Sequence, residues 1–88
     1  MNLVFTPTAW EDYLYWHAND HDAVEKIHEL IKDIRRDPFK GLGKPEPLKY
    51  ELQGWWSRRI KQEDRLVYRV VGVAPNQQIQ IAQCRYHY

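Results

Sequence analysis

Val24, Ile27, Leu30, Ile31 and Ile34 recur at three- and four-residue steps, and Glu25, Lys26, Glu29, Lys32 and Asp33 fill the positions between them. That spacing predicts an amphipathic helix whose apolar stripe has to be buried against another layer. Asp22, with Glu25 three residues later, offers a capping box for its start. Asn19-Asp20-His21-Asp22 separates it from what precedes, and Asp37, as the residue before Pro38, disfavours helical geometry and ends it near Arg36. Eighty-eight residues can enclose one modest core but no second lobe, so a single domain over residues 1–88 is expected.

The flanking segments supply the other layer. Asn2 to Phe5 alternates as a short strand, and Thr6-Pro7, or Thr8 with Glu11, can open a first helix whose Trp10, Tyr13, Leu14 and Trp16 are expected to pack into the core. Gly54 to Ile60 and Arg65 to Val71, joined by the polar Lys61-Gln62-Glu63-Asp64, read as a hairpin. Period two puts Leu66, Tyr68 and Val70 on its core face and Arg65, Val67, Arg69 and Val71 on the other. Gly72 to Gln78 turns the chain, and Ile79 onward forms a last strand that is expected to run into the carboxyl terminus. The expected fold is α+β: a short N-terminal strand and two helices packed on one face of a twisted antiparallel sheet. Periodicity does not fix how the first strand joins that sheet.

Net charge is only +1, but it is unevenly spread: residues 1–44 carry six Lys/Arg against eight Asp/Glu, and residues 45–88 carry seven against four. The basic half is the strand half, an asymmetry able to steer a polyanion to one face. A lone Cys84 excludes an internal disulfide, and the chain shows neither a signal peptide nor a membrane-length apolar run, which points to a reducing cytoplasm and no membrane partner. His17, His21 and His28 lack metal-ligand spacing, and Gly41 and Gly43 do not form a phosphate-binding loop; no metal or cofactor is expected.

Chemistry-bearing side chains gather at two places. Glu46 lies between Pro45 and Pro47 on a long connection, flanked by Lys44 and Lys49, which favour a carboxylate able to accept a proton. The chain ends Arg85-Tyr86-His87-Tyr88, a guanidinium, two phenols and an imidazole. If Glu46, Arg65 and His87 converge, a base, a phosphate clamp and an acid suffice for RNA cleavage through the 2′-hydroxyl without a metal. Regular alternation would send Tyr86 and Tyr88 to the face opposite His87, so a shared site requires the terminus to leave strand geometry. The same arginines and rings would also serve a nonenzymatic RNA- or DNA-binding module, and Trp55 and Trp56 would serve a protein-interaction domain.

Several motifs in order, Trp10 to Trp16, Ile27 to Phe39, Gly43-Lys44-Pro45-Glu46-Pro47-Leu48-Lys49, Trp56 to Ile60, Arg65 to Tyr68 and Cys84-Arg85-Tyr86-His87-Tyr88, resemble the Txe/YoeB family of bacterial toxins within the RelE-like group. The resemblance implies a ribosome-dependent mRNA endoribonuclease that cleaves in the A site and inhibits translation. It implies Glu46 as general base, His87 as general acid, Arg65 as the phosphate-contacting residue and Tyr88 as a terminal residue needed for activity. It implies RNA contacts from Lys49, Arg58 or Arg59 and Tyr86, and Lys44, Arg69 and Arg85 extend the candidate RNA-binding set. The partners it implies are a YefM-like antitoxin, the ribosome and mRNA, operator DNA through the antitoxin complex, and a second copy of the toxin in a homodimer. The Gly72 to Gln78 turn looks longer than the family pattern.

Overall fold

The computed structural model describes residues 1–87. Along the chain the elements are β1 (Asn2–Phe5), α1 (Pro7–Asn19), α2 (His21–Arg36), β2 (Glu46–Pro47), a 3₁₀ turn at Tyr50–Leu52, β3 (Trp56–Lys61), β4 (Asp64–Val71) and β5 (Gln78–Gln83). Thr6 caps α1, its Oγ1 accepting the Ala9 amide at 3.0 Å, and Pro7 takes the first helical position, where no amide is needed. The same hydroxyl donates to the Ala82 carbonyl at 2.7 Å and pins the helix start to β5.

The cap of α2 is Asp20, not Asp22: its Oδ1 accepts the Ala23 amide at 3.2 Å. Asp20 is extended, with φ −159°, and serves at once as the end of α1 and the start of α2, so the two helices meet without a loop. Asp22 falls inside the first turn, where a negative charge opposes the helix dipole favourably. Asp37 stops α2 in extended geometry ahead of Pro38, as expected.

All five stripe residues of α2 are buried. In α1 the buried line runs instead through Ala9 and Trp16, and the Trp16 indole donates to the Cys84 carbonyl at 2.7 Å while Asp12 accepts the Cys84 amide at 3.0 Å. These bonds to the strand end fix the roll of the helix, and they turn Trp10 and Leu14, expected in the core, outward to 48% and 41% exposure. Trp10 packs with Phe5 and Tyr13 at the surface, ring centroids 6.0 and 5.7 Å away.

The strands form one sheet in the order β1-β5-β4-β3-β2. It is mixed rather than wholly antiparallel: β1 pairs parallel with β5, Leu3 opposite Ile79, while β2, β3, β4 and β5 pair antiparallel in turn. Parallel pairing needs a long connection between the two strands, and most of the chain provides it. Leu66, Tyr68, Ile79, Ile81 and Ile60 join the helix residues in one buried cluster. Ser57, Arg59, Arg65, Val67 and Arg69 alternate with these and lie on the opposite face. No helix among the described residues is long and apolar enough to cross a membrane.

Candidate functional site

Three rows of side chains cross the face that the helices leave uncovered. Residues directly opposite on paired strands point to the same side of a sheet. Arg59 is opposite Arg65, which makes the first row. Glu46 is opposite Ser57, Ser57 opposite Val67, and Val67 opposite Gln83, so the second row links all four antiparallel strands. Arg69 is opposite Gln80 in the third. Consecutive rows are two residues apart, about 6.6 Å, and Glu46 lies two strands from Val67, roughly 10 Å. Glu46 and the Arg65 stem thus flank a floor of Ser57 and Val67, both nearly inaccessible at 1% exposure.

Glu46 is exposed and belongs to β2, a two-residue edge strand, where the sequence pattern indicated only a loop. Proline on both sides suits an edge, since Pro47 needs no partner for an amide it lacks. Beside Glu46 a cavity of about 310 Å³ is lined by Glu46, Pro47, Leu48, Lys49, Tyr50 and Leu52. Lys44, with φ 52°, is exposed one residue before Pro45.

The connection that delivers Glu46 is firmly held. Arg58 has 0% exposure, and its five N–H groups are all used within the fold: Nε donates to Tyr68 Oη at 3.0 Å, Nη1 to Asp33 Oδ2 at 2.6 Å and Leu42 O at 3.1 Å, Nη2 to Asp37 O at 2.7 Å and Lys40 O at 3.2 Å. Tyr68 Oη donates onward to Pro38 O at 2.6 Å, and Asp33 Oδ2 accepts the Leu42 amide at 2.9 Å. Arg58 is therefore no RNA contact in this fold, because every donor it has is spent inside it, three of them on the segment 37–42. The Asp33 carboxyl is held well below the usual carboxylate range by Arg36 first, then the Leu42 amide and Arg58. Gly43, at φ 79°, ends the segment where a Cβ would come within 2.8 Å of Leu30 Cδ2 and 3.0 Å of the Arg59 carbonyl. Arg59, the neighbour of Arg58, is exposed, and its amide donates to Gly43 O at 2.6 Å.

At the other side of the floor, the chain end leaves strand geometry after Gln83. Cys84 is buried against α1, and the Arg85 guanidinium lies 3.3 Å over the Tyr15 ring and 4.5 Å over the Tyr86 ring. That stacking draws Arg85 to the helix side. Tyr86 has φ 62°, and the bend lets its amide donate to Asp64 Oδ1 at 2.7 Å and its carbonyl accept the Arg65 amide at 2.8 Å. His87 follows immediately, exposed, with Nε2 3.8 Å from Glu63 Oε2. Arg65 Nη1 donates to the Gln62 and Asp64 carbonyls at 2.6 and 3.1 Å, which holds its side chain at the β3–β4 turn next to the terminal segment. Tyr86 is 62% exposed. Tyr88, the remaining expected site residue, lies outside the described residues.

Arg69 completes the face: its Nε donates to Gln80 Oε1 at 2.7 Å and its guanidinium stacks 4.3 Å over Trp55. Asp64, Gln80 and Asp33 carry geometry that sequence reasoning did not single out. For Asp64 and Gln80 no local pattern betrays the partner; for Arg58, alternation with Trp56 and Ile60 is the signal that points to the core face. Among the described residues no group of three or more His, Cys, Asp or Glu side chains is placed to hold a metal ion.

Residues 5–88 match the family model described as YoeB-like toxin of bacterial type II toxin-antitoxin system. The chain is 56% identical to Toxin YoeB of Escherichia coli (strain K12) over 88 residues, all of both chains. It superposes on a YoeB/ParE toxin from Agrobacterium tumefaciens with a TM-score of 0.95 at 52% identity, covering 100% of both chains. The YoeB of Staphylococcus aureus, solved as a dimer and in a heterotetrameric complex with YefM, matches with a TM-score of 0.87 at 50% identity over 100% of this chain and 98% of that one. An 84-residue stretch matched by a family model and full-length relatives above half identity leave one assignment: this chain belongs to the YoeB-like toxin family of bacterial type II toxin–antitoxin systems.

Proposed function

We propose that this chain is an endoribonuclease that cleaves mRNA in the ribosomal A site, with Glu46 as base, His87 as acid and Arg65 as phosphate clamp. The observation that carries this reading is the uncovered sheet face, where Glu46 stands across the Ser57–Val67 floor from Arg65 and the Arg65–Tyr86 main-chain bond brings His87 beside Arg65. The Glu46 carboxylate takes the proton of a 2′-hydroxyl. The freed oxygen attacks the adjacent phosphorus, and the Arg65 guanidinium offsets the charge that develops on the phosphoryl oxygens. As the bond to the 5′-oxygen breaks, the His87 imidazolium donates a proton to that oxygen. The products are a 2′,3′-cyclic phosphate and a free 5′-hydroxyl.

Lys49, which lines the same cavity as Glu46, and the exposed Lys44 and Arg59 extend the positive surface to flanking phosphates, and the exposed Tyr86 ring suits stacking on a base. Tyr88 is assigned to the same chemistry through the family resemblance alone. A YefM-like antitoxin and a second copy of the toxin are the partners, in line with the Staphylococcus aureus complexes. The antitoxin complex would carry the toxin to operator DNA, and the site of action is the cytoplasm. Primer extension on an mRNA translated by purified ribosomes tests the activity. The intact protein should generate new ends bearing a 5′-hydroxyl, and absence of such ends would refute the reading.

A further inference from the structure

The third row of the uncovered face has no part in the chemistry just described, yet it is built in advance. Arg69 and Trp55 are both half-buried, the guanidinium 4.3 Å over the indole, and Gln80 Oε1 fixes the guanidinium plane through Nε at 2.7 Å. The Nη groups of Arg69 make no hydrogen bond to another described residue. One face of the guanidinium is thus occupied by Trp55, and its outer donors have no acceptor among the described residues. A planar cation held in this way can stack on a nucleobase while its Nη groups take a phosphate, and it loses little freedom in doing so because the plane is already set.

The order of the rows says which nucleotide it meets. His87 lies at the Arg65 end, so the 5′-oxygen departs there; Glu46 is in the middle row and takes the attacking hydroxyl; Arg69 lies on the far side of the Glu46 row. RNA that continues 5′ of the attacked ribose crosses toward Trp55 and Arg69, one row from Glu46 along the strands, about 6.6 Å, and one to two strands across, about 5–10 Å. We infer that Trp55, Arg69 and Gln80 form a subsite for the nucleotide immediately 5′ of the one carrying the attacking 2′-hydroxyl, stacking on its base and binding its phosphate. This rests on the acid–base reading above for its polarity.

The test uses the full chain on ribosomes programmed with an mRNA whose cleavage-site nucleotide is 2′-deoxy, so that binding is read without cleavage. The 5′-flanking nucleotide is either intact or abasic. For the intact protein, removing the base should weaken binding roughly 5- to 100-fold, the range of one aromatic stack. In Arg69→Ala and Trp55→Ala that sensitivity should shrink to about 2-fold, the signature of an energetic coupling. Arg69→Gln and Trp55→Phe, which retain bulk, provide folded variants if alanine destabilises the sheet, as thermal melting will show. An abasic penalty undiminished in all four variants would overturn the subsite, as would failure of the intact protein to sense the base. An abasic penalty that moves to the 3′ flank would overturn its polarity and with it the base and acid assignments. If the intact protein shows the coupled penalty but never cleaves the ribonucleotide mRNA, the subsite stands and the nuclease reading falls.

Discussion

The Arg65 amide donates to the Tyr86 carbonyl at 2.8 Å, and the Tyr86 amide donates to the side chain of Asp64, one residue before Arg65, at 2.7 Å. This reciprocal pair stitches the chain end to the start of β4 and sets the distance between the proposed phosphate clamp and the proposed acid. Asp64→Ala removes one of the two bonds, at a half-buried position where the expected loss of stability is about 1 kcal/mol. Cleavage should suffer more, by about 10-fold to 100-fold in single-turnover rate at saturating programmed ribosomes, because the acid is then misplaced. Rate measurements beside thermal melts check this, and an unchanged rate in a folded Asp64→Ala would contradict it.

Arg58 and its neighbour Arg59 should behave as opposites. Arg58→Met takes one of three partners from Asp33, which keeps Arg36 and the Leu42 amide, and leaves the carbonyls of Asp37, Lys40 and Leu42 without their donor, at a cost of about 1–3 kcal/mol for each buried group left unpaired. Arg59→Ala, at an exposed position, should change stability by less than about 0.5 kcal/mol while weakening RNA binding. Urea unfolding of both variants distinguishes the roles; comparable stabilities would remove Arg58 from the frame that carries Glu46.

Acid should loosen the same frame. The folded-state value of Asp33 is depressed by Arg36, the Leu42 amide and Arg58, and that of Asp20 by Lys61 and the Ala23 amide. A depressed carboxyl contributes stability that is fully present above its unfolded value, near pH 4, and is lost as pH falls through the folded value, because the unfolded chain takes up its proton first. Unfolding free energy should therefore fall between about pH 5 and pH 2. Asp33→Asn should flatten that slope while lowering stability at neutral pH, where Arg58 loses its counter-ion. A slope as steep as that of the unsubstituted protein would contradict this.

Cys84 should be inert in the folded chain. Burial, and then the nearby Asp12 carboxylate, push its thiol up to about 12, and its Sγ reaches the Ala9 carbonyl at 3.5 Å. Alkylation by iodoacetamide at pH 8 should be undetectable until denaturant is added, then complete. Modification at a free-thiol rate without denaturant would mean that the β5–α1 contact opens readily.

Much of the frame is legible in the residues themselves. The α2 stripe and the split of β4 into Leu66/Tyr68 and Arg65/Val67/Arg69 follow from periodicity, and the stop at Asp37-Pro38 from the residue before proline; the pattern does not show that Val67, opposite the core face, is as buried as Leu66 and Tyr68. The departures arise where a distant partner overrides local pattern: Asp20 displaces Asp22 as cap because α1 and α2 share it, and Trp10 turns outward because Trp16 and Asp12 bind Cys84, about 70 residues away in sequence. β5 was expected to continue to the terminus, and it stops at Gln83 because the Tyr15–Arg85 stack and the Asp64–Tyr86 bond bend the chain aside. The chain therefore leaves strand geometry before His87, with Tyr86 at φ 62°. Glu46 facing the floor depends on pairing with Ser57, which two residues between prolines do not announce.

The division of labour between Glu46 and His87 is tested most directly by replacing the bridging 5′-oxygen at the cleavage site with sulfur. A thiolate, with a conjugate acid near pKa 8.5, leaves without needing a proton, so the acid becomes dispensable while the base does not. On the oxygen substrate, His87→Ala and Glu46→Ala should each lower the single-turnover rate by about 10²- to 10⁴-fold. On the sulfur substrate, His87→Ala should recover to within about 10-fold of the intact protein and Glu46→Ala should remain slow. If His87→Ala is as defective on sulfur as on oxygen, or if Glu46→Ala is the variant that recovers, the assignment of acid and base across this sheet face is wrong.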